Sequence, residues 1–373
     1  MGLPVAYVLF CAGEDSGDAL GESLVREALK LGFAVRGSGG PRMQAAGLEP
    51  IVDYEQLPVS GFGDVAPHLL RLRQMRKRLA EALADDGCIA LVAIDYPGFN
   101  MELCRRAKEC GKPVLYVAPP QVWAWKSSRA KKLRHARLAV LFDFERDFYM
   151  QQGCRAEILQ FPFTGRISAE RNGALLLLPG SRKRQALRNM PLFVAASTLW
   201  LLKHPDRRAV VFASRQTLKP PLERLVAKFA PPSVASRLSV ETVPQQAGER
   251  GDCFARFSKA LTAPGTASLE LALSGTPEVV CDVLDPMTYF IGKNFVKTKF
   301  FALPNILSDS KTVRELYFER RAANRAASAV AVADALESCG LQDAEALASE
   351  LMNRLSGGAT AEKLMSEFLG QFL

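Results

Sequence analysis

Short apolar runs that alternate with helix-like segments constrain the fold of this chain more than any other feature. The runs occupy residues 5–12, 88–96, 112–118, 138–144, 174–180, 208–214 and 277–283. A continuous apolar run of this length is typical of a strand buried on both faces of a parallel sheet. Repetition of strand and helix therefore predicts an α/β fold with doubly wound parallel sheets.

The alternation breaks once, in a polar segment with glycine near residues 165–173, and then restarts. Two successive units predict two Rossmann-like domains facing a cleft, one over 1–168 and the other over 169–345. Residues 346–373 predict a helical tail, because the end of the chain is rich in Ala, Leu and Glu. In doubly wound folds ligands bind at the carboxyl ends of strands, so the loops there are the candidate sites.

Composition excludes several other classes of protein. The 373 residues are 48% hydrophobic and 23% charged, which is typical of a globular chain and not of a disordered or collagen-like one. No stretch reaches the roughly 18 uninterrupted apolar residues of a spanning helix. The start turns acidic at once, so we interpret it as a first strand and not as a signal peptide. The eight cysteines form no CxxC pair, which predicts isolated thiols in a reducing compartment without a metal or disulfide framework.

The charge balance favours an anionic partner. The chain has 48 Lys and Arg against 39 Asp and Glu, a net charge of +9. Residues 71–78 contain five cations, and residues 126–137 contain six and no acid. Two such runs in one half of the chain favour an anionic surface over a merely solvated helix face.

The segment 65–83 has apolar residues at helical spacing, with cations beside them. Such a helix can lie in a membrane interface, although an ordinary helix packed on a sheet has the same pattern. The candidate membrane contacts are Leu69, Leu72, Arg73, Met75, Arg76 and Lys77.

Two segments of the first half carry polar residues after predicted strands. In 12–21, AGEDSGDALG, glycines permit a close turn, and Ser16 or Asp18 could cap the following helix. In 94–100, IDYPGFN, Asp95 stands where a buried strand ends and is well placed to accept a proton from a sugar hydroxyl. Trp123 and Trp125 could line a sugar or acyl site, or belong to the core.

Two loops of the second half have the pattern of a phosphate site. In LLPGSRKR, Gly180 and Ser181 precede a helix start, and Arg182 adds a guanidinium fork for an anion. In TAPGTASLELAL, Gly265 permits close approach of the backbone, Thr266 can cap a helix, and Glu270 is spaced to reach a ribose hydroxyl.

Taken together, these segments resemble the lipid-A-disaccharide synthase family over about residues 6–320. The segments that carry the resemblance, in order, are AGEDSGDALG (12–21), GGPRMQAAG (39–47), IDYPGFN (94–100), VWAW (122–125), LLPGSR (177–182), GTASLE (265–270), FVKT (295–298) and LPNIL (303–307). The resemblance implies a GT-B glycosyltransferase without metal or other cofactor, peripheral on the cytoplasmic face of the inner membrane. Its reaction would join UDP-2,3-diacylglucosamine to 2,3-diacylglucosamine 1-phosphate, releasing UDP and inverting the donor anomeric centre.

The resemblance also implies roles for individual residues. Asp95 would be the general base, and Glu14, Ser16 and Asp18 would belong to the acceptor side. The implied nucleotide-binding residues are Gly180, Ser181, Arg182, Gly265, Thr266, Glu270 and Asn305. The helix 65–83 would contact an anionic membrane surface, and nucleic acid is not an expected partner. A homodimer is left open.

The chain departs from the family pattern at several motif positions. Among them, the family has Asp at Gly98, Gly-His at Gln160–Phe161, Glu at Gln185, Ser at Pro264 and Tyr-Arg at Asp282–Val283. Three interpretations therefore stay open: the synthase with an unusual site, a diverged paralogue with another nucleotide sugar or lipid acceptor, and a GT-B sugar-nucleotide epimerase. Because an epimerase needs no lipid, the basic helix argues against the third.

Overall fold

The structure is a computed structural model that describes residues 6–54, 65–121, 127–161, 170–244, 247–286, 289, 299–323 and 326–373, without the side chains of 65–70, 127, 128, 247, 248, 321 and 323. The chain forms two units, Met1–Pro162 with Leu355–Leu373, and Phe163–Arg354. Each unit contains one parallel sheet flanked by helices, so the predicted α/β class with two doubly wound sheets is confirmed.

The strands follow one another in the order that a doubly wound fold requires. They are β1 Tyr7–Ala12, β2 Ala34–Ser38, β3 Glu49–Pro50, β4 Cys88–Ile94, β5 Val114–Val117, β6 Arg137–Val140, β7 Arg155–Ile158, β8 Leu175–Leu178, β9 Ala209–Ala213, β10 Leu238–Thr242, β11 Lys259–Thr262, β12 Glu278–Leu284 and β13 Arg314–Glu319. The first sheet has the order β3-β2-β1-β4-β5-β6-β7, and the second has the order β10-β9-β8-β11-β12-β13.

Helices connect the strands and extend the chain beyond them. The α-helices are α1 Asp15–Lys30, α2 Pro41–Ala45, α3 Val65–Ala84, α4 Pro97–Glu109, α5 Asp143–Gln151, α6 Lys183–Lys203, α7 Lys219–Phe229, α8 Pro232–Ala235, α9 Ala247–Ala255, α10 Thr266–Leu273, α11 Leu303–Ser308, α12 Arg320–Ala323, α13 Ala326–Ser338, α14 Leu341–Leu355 and α15 Ala361–Leu369. Shorter 3-10 helices are Ser127–Leu133, Gln216–Leu218 and Gly370–Phe372.

The apolar runs form central strands because both of their faces are buried. In β8, Leu175 and Leu177 pack in one core cluster with α6, whereas Leu176 and Leu178 pack in another with Phe254 of α9. Apolar burial of this kind is the main stabilising contribution to such a sheet.

The strand order places the candidate loops. In the first sheet the order reverses between β1 and β4, and in the second between β8 and β11. Loops that follow such strands flank the crevice in which doubly wound folds bind ligands. The segments that begin at Gly13, Asp95, Pro179 and Ala263 each follow one of these four strands.

The observed division differs from the predicted domain boundaries. The N-terminal segment of the first unit ends at Pro162, not at 168, and the predicted tail over 346–373 is divided between the two units. Helix α14 belongs to the second unit, whereas α15 packs against α1 of the first. A short bridge ties this segment to β7, because Ala359 N donates to Ile158 O over 2.8 Å and Gln160 N donates to Ala359 O over 2.9 Å.

Candidate active site

The carboxyl ends of β1 and β4 bring Ser16 and Asp95 together. The Ser16 hydroxyl donates a hydrogen bond to Asp95 Oδ2 over 3.1 Å. Asp95 and Tyr96 both have left-handed backbones, with φ of 48° and 50°. Consecutive non-glycine residues in this region store backbone strain, which occurs most often at functional sites. The strained turn presents a half-buried carboxylate at the end of a central strand.

Two buried side chains hold this turn in place. The Asn100 amide nitrogen donates to the carbonyls of Asp95, Ile94 and Cys11 over 2.8, 3.1 and 3.1 Å. The Tyr116 hydroxyl donates to the Asp95 carbonyl over 3.0 Å. Burial raises the pKa of Tyr116 well above its ordinary value, so the hydroxyl keeps its proton and remains a donor.

The loop after β1 is closely packed under the same turn. A Cβ atom at Gly13 would lie 2.3 Å from Cδ1 of the Tyr96 ring, so this position admits only glycine without rearrangement. Glu14 precedes α1 and is half-buried, as is Ser16. The Gly13 requirement therefore follows from the ring that the strained turn places over it.

Ser16 and Asp18 lie within α1 and do not cap it as predicted, since the residue before its first turn is Glu14; Asp18 caps α2 instead. Its two carboxylate oxygens accept hydrogen bonds from the backbone nitrogens of Met43 and Arg42, over 3.0 and 3.1 Å, at the start of α2. The side chain is buried, and burial raises its pKa. The described contacts of Asp18 thus hold α2 against α1.

In the second unit, the loop between β8 and α6 carries the residues predicted to bind an anion. Gly180 has φ of 122°, and a Cβ atom there would lie 2.6 Å from Gln185 Oε1. Ser181 and Arg182 are exposed directly before α6. The backbone N–H groups of the first helical turn and the helix dipole favour an anion at this place.

The buried Asn189 and the half-buried Gln185 of α6 join this loop to β12. Asn189 donates to the Pro179 carbonyl over 2.9 Å and accepts from the Val283 nitrogen over 2.9 Å. Gln185 Nε2 donates to Asp282 Oδ2 over 3.2 Å, and burial raises the pKa of Asp282. Gln185 and Asp282, two positions at which the sequence is expected to differ from the family it resembles, thus contact each other.

The loop between β11 and α10 presents the third candidate segment. Gly265 has φ of 147° and stands directly before Thr266, the first residue of α10. Glu270 lies one turn further along the helix, where Arg250 Nη2 donates to its Oε1 over 2.7 Å. The Arg250 side chain is only 17% exposed and the Glu270 side chain only 13%.

Asn305 supports the neighbouring edge strand. Its Nδ2 donates to the Val313 carbonyl and to Glu315 Oε1 over 2.8 and 2.7 Å, and its Oδ1 accepts from the Val313 nitrogen over 2.8 Å. The side chain is completely buried. These contacts tie α11 to the start of β13.

The predicted membrane helix packs differently from the expectation. Met75 is 7% exposed and belongs to the core of the first unit, and Leu72 packs against that core. The apolar side of α3 therefore covers the sheet and does not enter a membrane at these two positions, which corrects the prediction for Leu72 and Met75. Arg73 and Lys77 are exposed and Arg76 is half-buried, while the side chain of Leu69 lies outside the described residues.

Sequence reasoning missed Tyr116, Asn189 and Arg250, which act through distant contacts that leave no local pattern. Asn100 stands inside the IDYPGFN motif, and its amide in that motif was a usable signal. Trp123, Trp125 and the FVKT segment lie outside the described residues. In the described part of the chain, no group of three or more His, Cys, Asp or Glu side chains is arranged to hold a metal ion. None of its helices combines the length and apolar character needed to cross a membrane.

Sequence comparison identifies one family. The family model for lipid-A-disaccharide synthetase matches residues 8–355. The lipid-A-disaccharide synthase of Geobacter metallireducens is 32% identical over 346 residues, which cover 88% of this chain and 87% of that protein.

Solved structures share the fold at low sequence identity. A glycosyltransferase of kitacinnamycin matches with a TM-score of 0.57 and 14% identity, covering 99% of each chain. A UDP-GlcNAc 2-epimerase from Neisseria meningitidis, solved with UDP-GlcNAc bound, matches with a TM-score of 0.56 and 10% identity, covering 98% of this chain and 100% of that one. These likenesses identify a GT-B type fold.

Proposed function

This chain belongs to the lipid-A-disaccharide synthase family and is a glycosyltransferase of lipid A biosynthesis, and we propose that Asp95 is its general base. Its substrates are a UDP-sugar donor and a sugar phosphate acceptor. The finer proposal is that UDP-2,3-diacylglucosamine is joined to 2,3-diacylglucosamine 1-phosphate. The observation that carries the assignment of the general base is the strained turn at Asp95, contacted by Ser16.

The proposed reaction needs one proton transfer and one displacement. Asp95 takes the proton from the acceptor hydroxyl as that oxygen forms a bond to the donor anomeric carbon. The bond from that carbon to the diphosphate oxygen breaks, UDP leaves, and the anomeric centre is inverted. Ser16 donates to Asp95 Oδ2 and so orients the carboxylate, and Glu14 lies in the same loop on the acceptor side. Asp18 supports this loop by capping α2.

The second unit would hold the nucleotide. The diphosphate gains negative charge as UDP leaves, and Arg182 with the first N–H groups of α6 would stabilise that charge. Gly180 and Ser181 would let the phosphates approach the backbone N–H groups closely, and Gly265 and Thr266 would do the same in the neighbouring loop. Glu270 would accept from the ribose hydroxyls. Asn305 would act as a positioning residue, because its amide holds β13.

We further propose an electrostatic contact with an anionic membrane surface, at the cytoplasmic face of the inner membrane. Helices α3 and α4 and the 3-10 helix Ser127–Leu133 pack on the same core cluster of the first unit. Arg73, Arg76, Lys77 and Arg106 line a groove between α3 and α4 together with Glu81 and Glu102, so cations outnumber acids there by four to two. Lys131 and Lys132 add exposed cations from the 3-10 helix. Cations near an anionic bilayer contribute about 1 kcal/mol each, so this basic face supports binding without an inserted apolar helix.

The test is to incubate the protein with both diacylated substrates and detect disaccharide and UDP by mass spectrometry. We expect product from the wild type and a rate lower by roughly 10²–10⁴ for Asp95→Asn, since a general base contributes about that factor. UDP affinity should be nearly equal in both proteins. An Asp95→Asn variant that keeps most of the rate would place the base elsewhere.

A diverged paralogue is the second candidate, supported by the contact between Gln185 and Asp282 beside the nucleotide loop. In that case the wild type would form no lipid A disaccharide. It would still bind UDP, and it would release UDP from another UDP-sugar when supplied with another acceptor. The two candidates therefore differ in product, not in the nucleotide bound.

A further inference from the structure

Arg250 and Glu270 form an ion pair that is mostly withdrawn from solvent. Arg250 Nη2 lies 2.7 Å from Glu270 Oε1, and the side chains are 17% and 13% exposed. Exposed ion pairs contribute little because water screens them, but a pair at this depth keeps more of its attraction and its geometry. Arg250 Nε is buried and has no hydrogen-bond partner within the described residues, so this contact is the described polar anchor of the guanidinium.

The backbone that carries Arg250 is fixed to α10. The Thr276 hydroxyl donates to the Phe254 carbonyl over 2.9 Å, and the Ser274 hydroxyl lies 2.7 Å from the Glu270 carbonyl and 3.3 Å from the Gly251 carbonyl. These bonds join α9 to the end of α10 and to the turn after it. Arg250 is therefore presented to Glu270 from a fixed direction, one turn beyond the Gly265 loop.

A carboxylate that recognises a vicinal diol must present its oxygens in a fixed plane. A guanidinium that holds one oxygen restricts the rotation of the carboxylate and the side-chain rotamers that the glutamate can sample. It also offsets negative charge close to a bound diphosphate, where like charges repel. Arg250 thus has two separable effects on Glu270, one of orientation and one of charge.

We propose that Arg250 is a positioning residue, which orients the Glu270 carboxylate towards the ribose hydroxyls of the donor nucleotide. This inference rests on the proposed role of Glu270 at the nucleotide. It predicts that Arg250 determines how strongly the protein distinguishes a ribonucleotide from a deoxynucleotide, without touching either.

The test is calorimetric titration with UDP and with 2′,3′-dideoxyuridine diphosphate. We expect the wild type to bind UDP roughly 10-fold or more tighter, because hydrogen bonds to a charged group contribute about 1.5–3 kcal/mol. Arg250→Gln and Glu270→Gln should each reduce this ratio to less than about 3-fold, and the double variant should reduce it no further because the two residues act as a unit.

Arg250→Lys separates orientation from charge. Lysine keeps the positive charge but lacks the planar guanidinium. Compared with Arg250→Gln, Arg250→Lys should therefore restore UDP affinity more fully than it restores the ratio of UDP affinity to dideoxynucleotide affinity. The variant also serves where Arg250→Gln does not fold. Lys203→Gln, which breaks an ion pair with Asp334 in the same unit, is the matched control and should leave the ratio unchanged.

Three results would overturn the inference in distinguishable ways. If Arg250→Gln lowers the affinity for both nucleotides equally, so that the ratio of the two affinities is unchanged, Arg250 has a structural role only. A wild type that binds UDP but does not distinguish the dideoxynucleotide would remove Glu270 from the ribose and keep the proposed function. A wild type that does not bind UDP would remove the proposed function as well.

Discussion

Asn100 stabilises the strained turn at Asp95 by donating to three carbonyls from one amide nitrogen. We predict that Asn100→Ala lowers the free energy of unfolding by about 1–3 kcal/mol, because buried carbonyls lose their donor. Glycosyl transfer should fall further than stability alone explains, since the Asp95 backbone can then relax from φ of 48°. Urea unfolding and initial rates measured on the folded fraction would check both effects. Full stability and a full rate in Asn100→Ala would contradict this role.

Glu278 is a buried carboxyl that makes stability depend on pH. It is 4% exposed and accepts from the Ser268 hydroxyl over 3.1 Å, and burial followed by the nearby Glu315 raises its pKa well above the ordinary value. Above the pKa of an unfolded glutamate, about 4.3, the unfolded chain loses a proton that the folded chain keeps. The free energy of unfolding then falls as pH rises, by up to about 1.4 kcal/mol per pH unit from this group, until the folded pKa is reached.

We therefore predict that Glu278→Gln is more stable than the wild type at neutral pH, and that the difference shrinks as the pH falls towards 4. Glutamine keeps the hydrogen bond to Ser268 and has no proton to lose. Urea unfolding at pH 5, 6 and 7 measures the two slopes. Parallel slopes in wild type and variant would show that Glu278 does not carry this pH dependence.

At the scale of elements, the apolar side chains of α3 pack on the core of the first unit, whereas its cations Arg73 and Lys77 are exposed. We predict that the triple variant Arg73→Gln, Arg76→Gln, Lys77→Gln binds anionic vesicles roughly 100-fold more weakly than the wild type, because three cations contribute about 1 kcal/mol each. The loss should shrink as salt rises, and sedimentation with vesicles measures it. The control is the double variant Arg26→Gln, Lys30→Gln. These two cations belong to α1, which lies outside the core cluster on which α3 packs, so their loss should change vesicle binding little. Unchanged binding in the triple variant would remove α3 from the membrane contact.

The central strands could be predicted from the sequence, and the edge strands could not. Strands such as β4 and β8 are buried on both faces and therefore stand out as apolar runs. The edge strands β7, β10 and β13 contain charged residues, because one side or one face meets solvent. Strands β2 and β11 are central too, but their sequences AVRGS and KALT hold only two apolar residues in a row and therefore form no distinctive apolar run. Burial, and not strand propensity alone, decided which elements the sequence revealed.

For the candidate site, the sequence could predict residues marked by a local pattern but not residues that act through distant contacts. Asp95 follows a strand, Arg182 directly precedes a helix and Glu270 lies one turn into another, so local spacing was enough to propose them as candidates. Asn189 and Arg250 act across long sequence separations, and a single sequence holds no sign of such contacts. The helical spacing in α3 was correct, but it does not distinguish a sheet from a bilayer as the apolar partner.

At the scale of the whole molecule, the first unit needs α15 to complete its core. Phe368 is 4% exposed, and its neighbours Leu364, Met365 and Leu369 are fully buried. We predict that Phe368→Ala destabilises the first unit by about 3–5 kcal/mol, the usual loss for a large buried side chain. UDP binding should persist at temperatures where the second unit stays folded, since that unit spans Phe163–Arg354.

Phe372→Ala is the matched control, because that ring is 38% exposed and its removal should change stability little. Thermal unfolding followed by proteolysis would locate the loss in the first unit. Equal melting of both variants would mean that α15 contributes no stability to it.

The return of α15 to α1 also orders events during synthesis. Residues 1–162 leave the ribosome first, but the surface of α1 that α15 covers stays open until the whole second unit has been translated. At roughly 5–20 residues per second, this wait is on the order of 10–40 seconds. During that time the nascent first unit, whose strands β1–β7 have all been translated, exposes apolar surface that a chaperone can hold, and the second unit is fully translated before the first receives α15.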